Sequence, residues 1–256
     1  MASIFPAIAY PRIIAHRCGG ALAPENTLAG LRIAARMGCR GVEFDVALTA
    51  DGIPVLLHDE TLDRTTNGTG LLARTASNTL ARLDAGSNYH PAFAGESVPP
   101  FQSALAVCAE LGLWVNVEIK PTSGTEIETG RAVASMVTNA MPNLIEQRGG
   151  PNTLLFSSFS IPALQAARHI APTIPRALLT ESITDNWHAL CQAAGACALH
   201  TAAKGITQAQ ITSVCNSGIP IACYTVNDRA TAAGLFAAGI KAIFTDRIDL
   251  WLPDNL

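Results

Sequence analysis

The sequence predicts an α/β chain folded as a TIM-type (β/α)8 barrel, and three observations predict it. Short apolar runs rich in β-branched residues alternate with longer segments of helical period. The alternation repeats eight times along the chain, with 53–59 counted separately. Ionisable residues gather where several of the apolar runs end, which is where a barrel of this kind carries its chemistry.

The elements follow in order. RIIAH (12–16) is a strand, and NTLAGLRIAARMG (26–38) a helix that Asn26 or Thr27 can cap and Gly38 can end. GVEFDVAL (41–48) is the second strand. SALAVCAELG (103–112) is a helix and LWVNVEIK (113–120) a strand. Five further strands are expected at 153–159, 176–180, 196–200, 220–227 and 241–246. Helices at about 125–141, 161–171, 185–194, 207–218 and 228–239 alternate with them. WLPDNL follows a short final turn as a tail. No linker splits the chain, so 1–256 is expected to be one domain. Residues 59–102 lack a clear period and are rich in turn formers. They are expected to be an insertion after the strand-2 hairpin, on the top face. Structureless loops of that length are uncommon in compact domains, so the insertion should hold local structure.

Composition narrows the class. With 49% hydrophobic and 14% charged residues, the chain can fill a sizeable core. A net charge of −3, with Lys and Arg scattered, gives no footprint for nucleic acid. The seven cysteines are an odd number and form no CxxC, which argues against a disulfide framework and a thiolate zinc site. Free thiols suit a reducing compartment. The start, MASIFPAIAYPR, is broken by Pro6 and Pro11 and lacks a basic opening, so no signal peptide is expected. No run is long and apolar enough for stable membrane insertion, and a cytoplasmic location is the expectation. Oligomeric state has no signature in the sequence.

The segment GVEFDVALTADGIPVLLHD (41–59) carries the first chemical signal. Asp51-Gly52 is a two-residue hairpin signal; with that turn, Ala50 faces Ile53 and Asp45 faces His58. Side chains alternate along a strand, so Glu43 and Asp45 share one face while Val42, Phe44 and Val46 take the other. Glu118 and Lys120 are likewise two apart, and His16-Arg17 ends the first strand. Three acids, two histidines and two cations are thus expected at one barrel mouth. Three close carboxylates repel unless something positive sits among them. Oxygen-only ligands suit a hard divalent cation, Mg²⁺ or Ca²⁺, rather than zinc. A metal with Arg17 and Lys120 suits an anionic, phosphate-bearing substrate, and the two imidazoles suit proton transfer in and out.

Taken singly, each group has an ordinary structural reading. A histidine at a strand end is more often a hydrogen-bonded structural residue, and Glu118 with Lys120 can be a plain ion pair. Their joint placement at successive strand ends is what favours chemistry. Asp59, Asp63 and Arg64 are read as stabilising the insertion, and Asp246 as capping the last turn. His90, His169 and His188 are read as surface or structural, and His200 as a pocket-lining residue at a strand end. Cys18 is read as packing near the site.

At these residues the sequence resembles the glycerophosphodiester phosphodiesterase family, most nearly its bacterial cytosolic form. The matching stretches are AHRCGGALAPENT (15–27), VEFDVALTADGIPVLLHDETLDRTTNG (42–68), NVEIKP (116–121), YTVN (224–227) and FTD (244–246). LDAGSNY (83–89) and AFAGESVP (92–99) resemble the family's insertion. The resemblance implies hydrolysis of small-molecule glycerophosphodiesters to sn-glycerol 3-phosphate and an alcohol such as choline or ethanolamine. It implies a divalent metal at Glu43, Asp45 and Glu118, catalytic histidines at His16 and His58, and phosphate contacts from Arg17 and Lys120. Tyr224 and Asn227 are placed to touch the glycerol. His16 is assigned as base and His58 as acid, a pairing that can be reversed. Either a glycerol hydroxyl, through a cyclic phosphate, or water is the nucleophile. The family usually has Gly where this chain has Cys18, which bears on the local backbone; Gly19 and Gly20 beside it can supply flexibility. Two other readings are weighed. A lysophospholipase D or sphingomyelinase D-like activity needs an apolar groove, for which Tyr89, Phe93 and Phe101 are the main bulky residues. A non-catalytic barrel that binds phosphorylated metabolites is disfavoured by the presence of both histidines and all three acids.

Overall fold

The computed structural model describes residues 8–140 and 153–251. The first seven residues of the chain, the end of the 125–141 helix and the tail after residue 251 lie outside the described residues. The strands are β1 (Ile13–Ala15), β2 (Gly41–Leu48), β3 (Pro54–Leu56), β4 (Trp114–Ile119), β5 (Leu154–Ser158), β6 (Arg176–Thr180), β7 (Ala198–Ala202), β8 (Ile221–Tyr224) and β9 (Ala242–Thr245). The helices are α1 (Leu28–Arg36), α2 (Ser77–Leu80), α3 (Phe101–Leu111), α4 (Glu126–Ala140), α5 (Ile161–Ile170), α6 (Trp187–Ala194), α7 (Gln208–Asn216) and α8 (Arg229–Ala238).

The sheet runs in the order β1-β9-β8-β7-β6-β5-β4-β2, and β1 also pairs with β2. The eight parallel strands therefore close on themselves, as the alternation predicts. β3 is no barrel strand. It lies antiparallel to β2 and extends that strand's pairing above the point where β1 ends.

Closure leaves each strand with two covered faces, and β2 is buried along its whole length. Outward, Val42, Phe44 and Val46 pack in one cluster with Leu31, Phe101, Leu105 and Val133 from α1, α3 and α4. Inward, the lower barrel is filled by Ile14, Trp114, Leu155 and Phe244 with alanines at 177, 198, 222 and 242. The small alanines leave room for Tyr10, whose ring lies 5.4 Å from that of Trp114 and stoppers the bottom.

The hairpin register departs from the expectation by one residue. Val46 pairs with Leu56 and Leu48 with Pro54, so Asp45 lies beside Leu57, whose N–H it binds at 3.2 Å. The turn holds three residues, not two. Thr49 Oγ accepts from Ile53 N at 3.0 Å and donates to Asp51 at 2.6 Å, and Gly52 takes φ +74. His58 falls after β3 ends, so its direction is set by its loop and not by strand alternation.

The insertion carries its own small core. Val55, Leu57, Leu62, Leu72, Leu80, Ala85 and Val98 bury together with Ala47 of β2. The Asp84 carboxylate accepts from the N–H groups of Gly86, Ser87 and Gly95, each at 2.8 Å, and ties two turns together. Phe101 is not part of an exposed insertion surface; it opens α3 and is fully buried against Phe44. Tyr89 remains exposed, with its ring edge-on to Phe93.

Phe44 ties the barrel wall to its helices, with its ring centroid 6.0 Å from that of Phe101 and no solvent exposure. Phe44→Ala should therefore cost about 3–5 kcal/mol, the range for emptying a closed aromatic site. Urea unfolding of the two proteins under the same buffer tests this; a loss below about 1 kcal/mol would contradict the packing described.

Candidate active site

The parallel register sets the site. Asp45 pairs with Glu118 and Glu43 with Asn116, so the three acids project from neighbouring positions of β2 and β4 into the same mouth. Glu43 and Asp45 are buried, and Glu118 nearly so. Each offers one oxygen, and these oxygens lie within 4.8 Å of one another. Burial, then the charges of Asp45 and Glu118, push the Glu43 carboxyl well up. Burial, then Asp45, push Glu118 to about 7. Burial acts on Asp45 as well, but Lys120, His58 and Arg17 outweigh it and hold that carboxyl below its usual range.

The protein supplies only part of the compensating charge. Lys120 Nζ lies 3.5 Å from Asp45 and 3.4 Å from Glu118, and Arg17 Nε lies 3.8 Å from Asp45. Arg17 N donates to Glu43 Oε2 at 2.9 Å, while Glu43 Oε1 is buried with no hydrogen-bond partner. A buried carboxylate oxygen with no partner, beside two more carboxylates, fits a hard cation with oxygen ligands. Glu43, Asp45 and Glu118 are the residues that can hold one.

The loop after β1 supports these acids. Its residues Arg17 (φ +50), Cys18 (φ +76) and Asn26 (φ +56) are all left-handed. The usual Gly at position 18 is thereby explained, since a side chain there carries strain. Cys18 itself takes one left-handed position of this turn, and Gly20 (φ +56) takes another. Asn26 is not the helix cap. It brackets Asp45, donating to Oδ2 at 2.9 Å and accepting from its N–H at 3.1 Å. Thr27 caps α1 by accepting from Gly30 N.

Each histidine is held by a carboxylate. His16 Nδ1 lies 2.7 Å from Asp246 Oδ1, and His58 Nδ1 lies 2.7 Å from Asp59 Oδ1. His16 Nε2 then points toward Glu43, 3.9 Å away. Asp246 does not cap the final turn. Asn227 fixes it, donating to Oδ2 at 2.9 Å and accepting its N–H. Asn227 is thus occupied in the site's frame. Asp59 has more than a structural role in the insertion: Arg64 forks between Asp59 and Glu25, and Glu25 also pairs with Arg17 at 3.0 Å. A continuous rim of ion pairs therefore joins the loop of His58 to the loop of His16.

His16, Arg17, Glu43, Asp45, His58, Glu118, Lys120 and Tyr224 all line one cavity of about 430 Å³. Tyr224 donates its hydroxyl to Thr180 O at 2.9 Å, so its ring and not its oxygen faces the space. His200 lies in mid-strand rather than at a strand end. It is fully buried at the cavity floor, hydrogen-bonded to Tyr10 at 2.8 Å, and burial lowers its pKa to about 3. His90 accepts from Ala92 N, and His188 packs on Trp187. Sequence reasoning gave no role to Glu25, Phe159 or Glu181. Glu25 had a signal in the charged rim of the PENT turn; Phe159 and Glu181 had one in their position just past β5 and β6.

The family model of the glycerophosphoryl diester phosphodiesterase family matches residues 16–250. The chain belongs to this family. It is therefore an enzyme, a phosphoric diester hydrolase. It is 30% identical over 235 residues to the glycerophosphodiester phosphodiesterase of Caldanaerobacter subterraneus, covering 91% of this chain and 93% of that one. Among solved structures it is similar to an Oleispira antarctica phosphodiesterase in complex with the product sn-glycerol-3-phosphate, with 35% identity, a TM-score of 0.87 and 93% of each chain covered. A glycerophosphodiester phosphodiesterase from Agrobacterium tumefaciens superposes with a TM-score of 0.74 at 28% identity, over 95% of this chain and 99% of that one. Among the described residues, no helix is long and apolar enough to cross a membrane.

The tight turn after β1 has a measurable signature. A Cβ on Gly30 would meet Cys18 Cβ at 2.9 Å and Gly19 N at 3.0 Å. Gly30→Ala should destabilise by about 1–3 kcal/mol through overpacking. In a Cys18→Gly background the same change should cost less, because one of the two contacts is gone. A double-mutant cycle by thermal unfolding checks it, and strict additivity would refute the close approach.

Proposed function

We propose that the protein hydrolyses glycerophosphodiesters, such as glycerophosphocholine and glycerophosphoethanolamine, to sn-glycerol 3-phosphate and the free alcohol, with a divalent cation as cofactor. One observation carries the reading. Two imidazoles, each held at Nδ1 by a carboxylate, stand at the rim of a mouth that contains three buried acids and two cations. The relative from Oleispira antarctica, with its bound product, supports the substrate class.

On this reading Glu43, Asp45 and Glu118 hold Mg²⁺ or Ca²⁺, which when bound supplies Lewis-acid stabilisation of charge on the phosphoryl oxygens. Arg17 and Lys120 attract the anionic diester and orient it. Asp246 and Asp59 fix the tautomers of His16 and His58, leaving each Nε2 to exchange a proton with the attacking or departing oxygen. The sequence suggested His16 as base and His58 as acid. Burial lowers the pKa of His58, against the opposing pull of Asp45 and Asp59. That favours its neutral ring and supports the reverse assignment, with His58 as base and His16 as acid. An acyl-chain substrate is the weaker reading, since Phe101 is buried and the cavity lining includes Arg17, Glu43, Asp45, Glu118, Lys120 and Glu181.

A coupled assay for glycerol 3-phosphate released from glycerophosphocholine tests the activity. His16→Ala and His58→Ala should each lower kcat by at least about 10²-fold, the range for loss of a general acid or base. Exhaustive EDTA treatment should abolish turnover, and added Mg²⁺ or Ca²⁺ should restore it. Full turnover by either alanine variant, or by the EDTA-treated protein, would sink the assignment.

The pH profile separates the two histidine roles. A base must be neutral, so activity falls as pH drops through its pKa. With His58 as base, the acidic limb of kcat/KM for the metal-loaded enzyme should lie below the ordinary imidazole value of 6.5. An acidic limb above that value would contradict the assignment of His58 as base.

A further inference from the structure

Arg17 and His58 both stand on loops, one after β1 and one after β3, so no strand fixes the distance between them. One guanidinium bridges the two loops. Arg64 Nε donates to Asp59 Oδ2 at 2.6 Å and Nη2 to Asp59 Oδ1 at 2.9 Å. Its other edge meets Glu25, with Nη1 donating to Oε2 at 2.6 Å and Nη2 to Oε1 at 2.8 Å. Asp59 Oδ1 is also the atom that holds His58 Nδ1, and Glu25 Oε1 is the atom that accepts from Arg17 Nη1 at 3.0 Å. Paired bonds from a planar donor fix the plane of each carboxylate. The hydrogen bonds from Arg64 hold Asp59 well below the usual carboxylate range, so it stays an ionised acceptor for the His58 ring. The segment that carries Arg64 is anchored in turn. Leu62 is buried in the core of the insertion, and Thr66 donates its hydroxyl back to Leu62 O at 2.7 Å.

We propose that Arg64 is a positioning residue for the reaction: through Asp59 it aims His58, through Glu25 it aims Arg17, and one guanidinium on the insertion thereby sets proton transfer and phosphate binding together. The inference rests on the phosphodiesterase reading above. Arg64 is not among the residues that line the cavity, so it acts through its two carboxylates and not on the substrate. Its side chain is 47% exposed, and ion pairs at such exposure add little to stability. Its geometry has more leverage. If Asp59 turns, the acceptor of His58 Nδ1 turns with it, and a misplacement of about 1 Å in a positioned group costs on the order of 10²-fold in rate. A lysine at this position keeps the charge but offers a point donor, which cannot hold two carboxylates along two fixed edges. The role is therefore separable from charge and from folding.

The test measures kcat and KM on glycerophosphocholine beside thermal unfolding. Arg64→Ala should lower kcat roughly 10- to 100-fold, the span for a misplaced catalytic group, while the unfolding midpoint changes little. Arg64→Lys should stay close to Arg64→Ala, because charge without the fork does not restore the geometry. Free guanidinium ion at millimolar concentration should restore part of the activity lost in Arg64→Ala, and none of that lost in Asp59→Ala, where its acceptor is missing. Wild-type kcat in Arg64→Ala would overturn the inference. Guanidinium without effect on Arg64→Ala, or a change confined to the unfolding midpoint, would make the arginine structural only and overturn it as well. If Arg64→Ala does not fold, Arg64→Lys carries the test: wild-type kcat there overturns the inference, and a fall of the stated size in a folded variant supports it. A wild-type protein that releases no glycerol 3-phosphate would instead sink the underlying reading, and this one with it.

Discussion

Three carboxylates buried within a few ångströms of one another are the constraint on which the rest of the site depends. Mutual repulsion and desolvation both oppose their ionisation, and both act on Glu43 and Glu118. Burial opposes Asp45 too, but it escapes because Lys120, His58 and Arg17 surround it and Asn26 brackets it. The strained turn at Arg17 and Cys18 follows from the same need. Left-handed backbone at both residues aims the Arg17 N–H at Glu43 Oε2 and brings Cys18 N to Glu43 O at 2.7 Å. Strain of this kind persists only where surroundings over-determine it. Here the close contact with Gly30 and the hydrogen bonds to β2 do so.

The same electrostatic logic extends outward. Glu25 takes Arg17 and Arg64, Arg64 takes Asp59, and Asp59 takes His58. Exposed ion pairs contribute little one at a time, but a forked arginine between two carboxylates fixes geometry as well as charge. The insertion therefore does more than cover the barrel. Its own apolar cluster anchors the segment that presents His58 and Arg64, so the position of a catalytic candidate depends on a core outside the barrel.

Much of this was legible in the sequence, for reasons that differ from element to element. The inward direction of Glu43, Asp45 and Glu118 follows from the period of a strand, which no neighbour can change. The hairpin register did not follow, because Asp51-Gly52 fits loops of two or three residues. The choice was made by Thr49, whose hydroxyl bonds both Asp51 and Ile53 N. His58 still reaches the mouth because its approach is fixed by the insertion and Asp59. Asp246 looked like a local cap because its partner is 230 residues away in sequence. Barrel closure makes them neighbours: Ala15 pairs with Thr245, so the residues that follow must lie side by side. His200 was misplaced by a two-residue error in a strand boundary, the least certain part of any sequence reading.

Closure also divides the mouth into two arcs of different chemistry. At the ends of β1, β2 and β4 the ionisable groups that line the cavity are held by partners: His16 by Asp246, Arg17 by Glu25, and Lys120 beside Asp45 and Glu118. On β5, β6 and β8 the inward groups past the strand ends are two rings and one unpaired acid. In a barrel the two arcs can differ in this way without any change to the strands that carry the acids, because loops on opposite walls vary without disturbing one another's register.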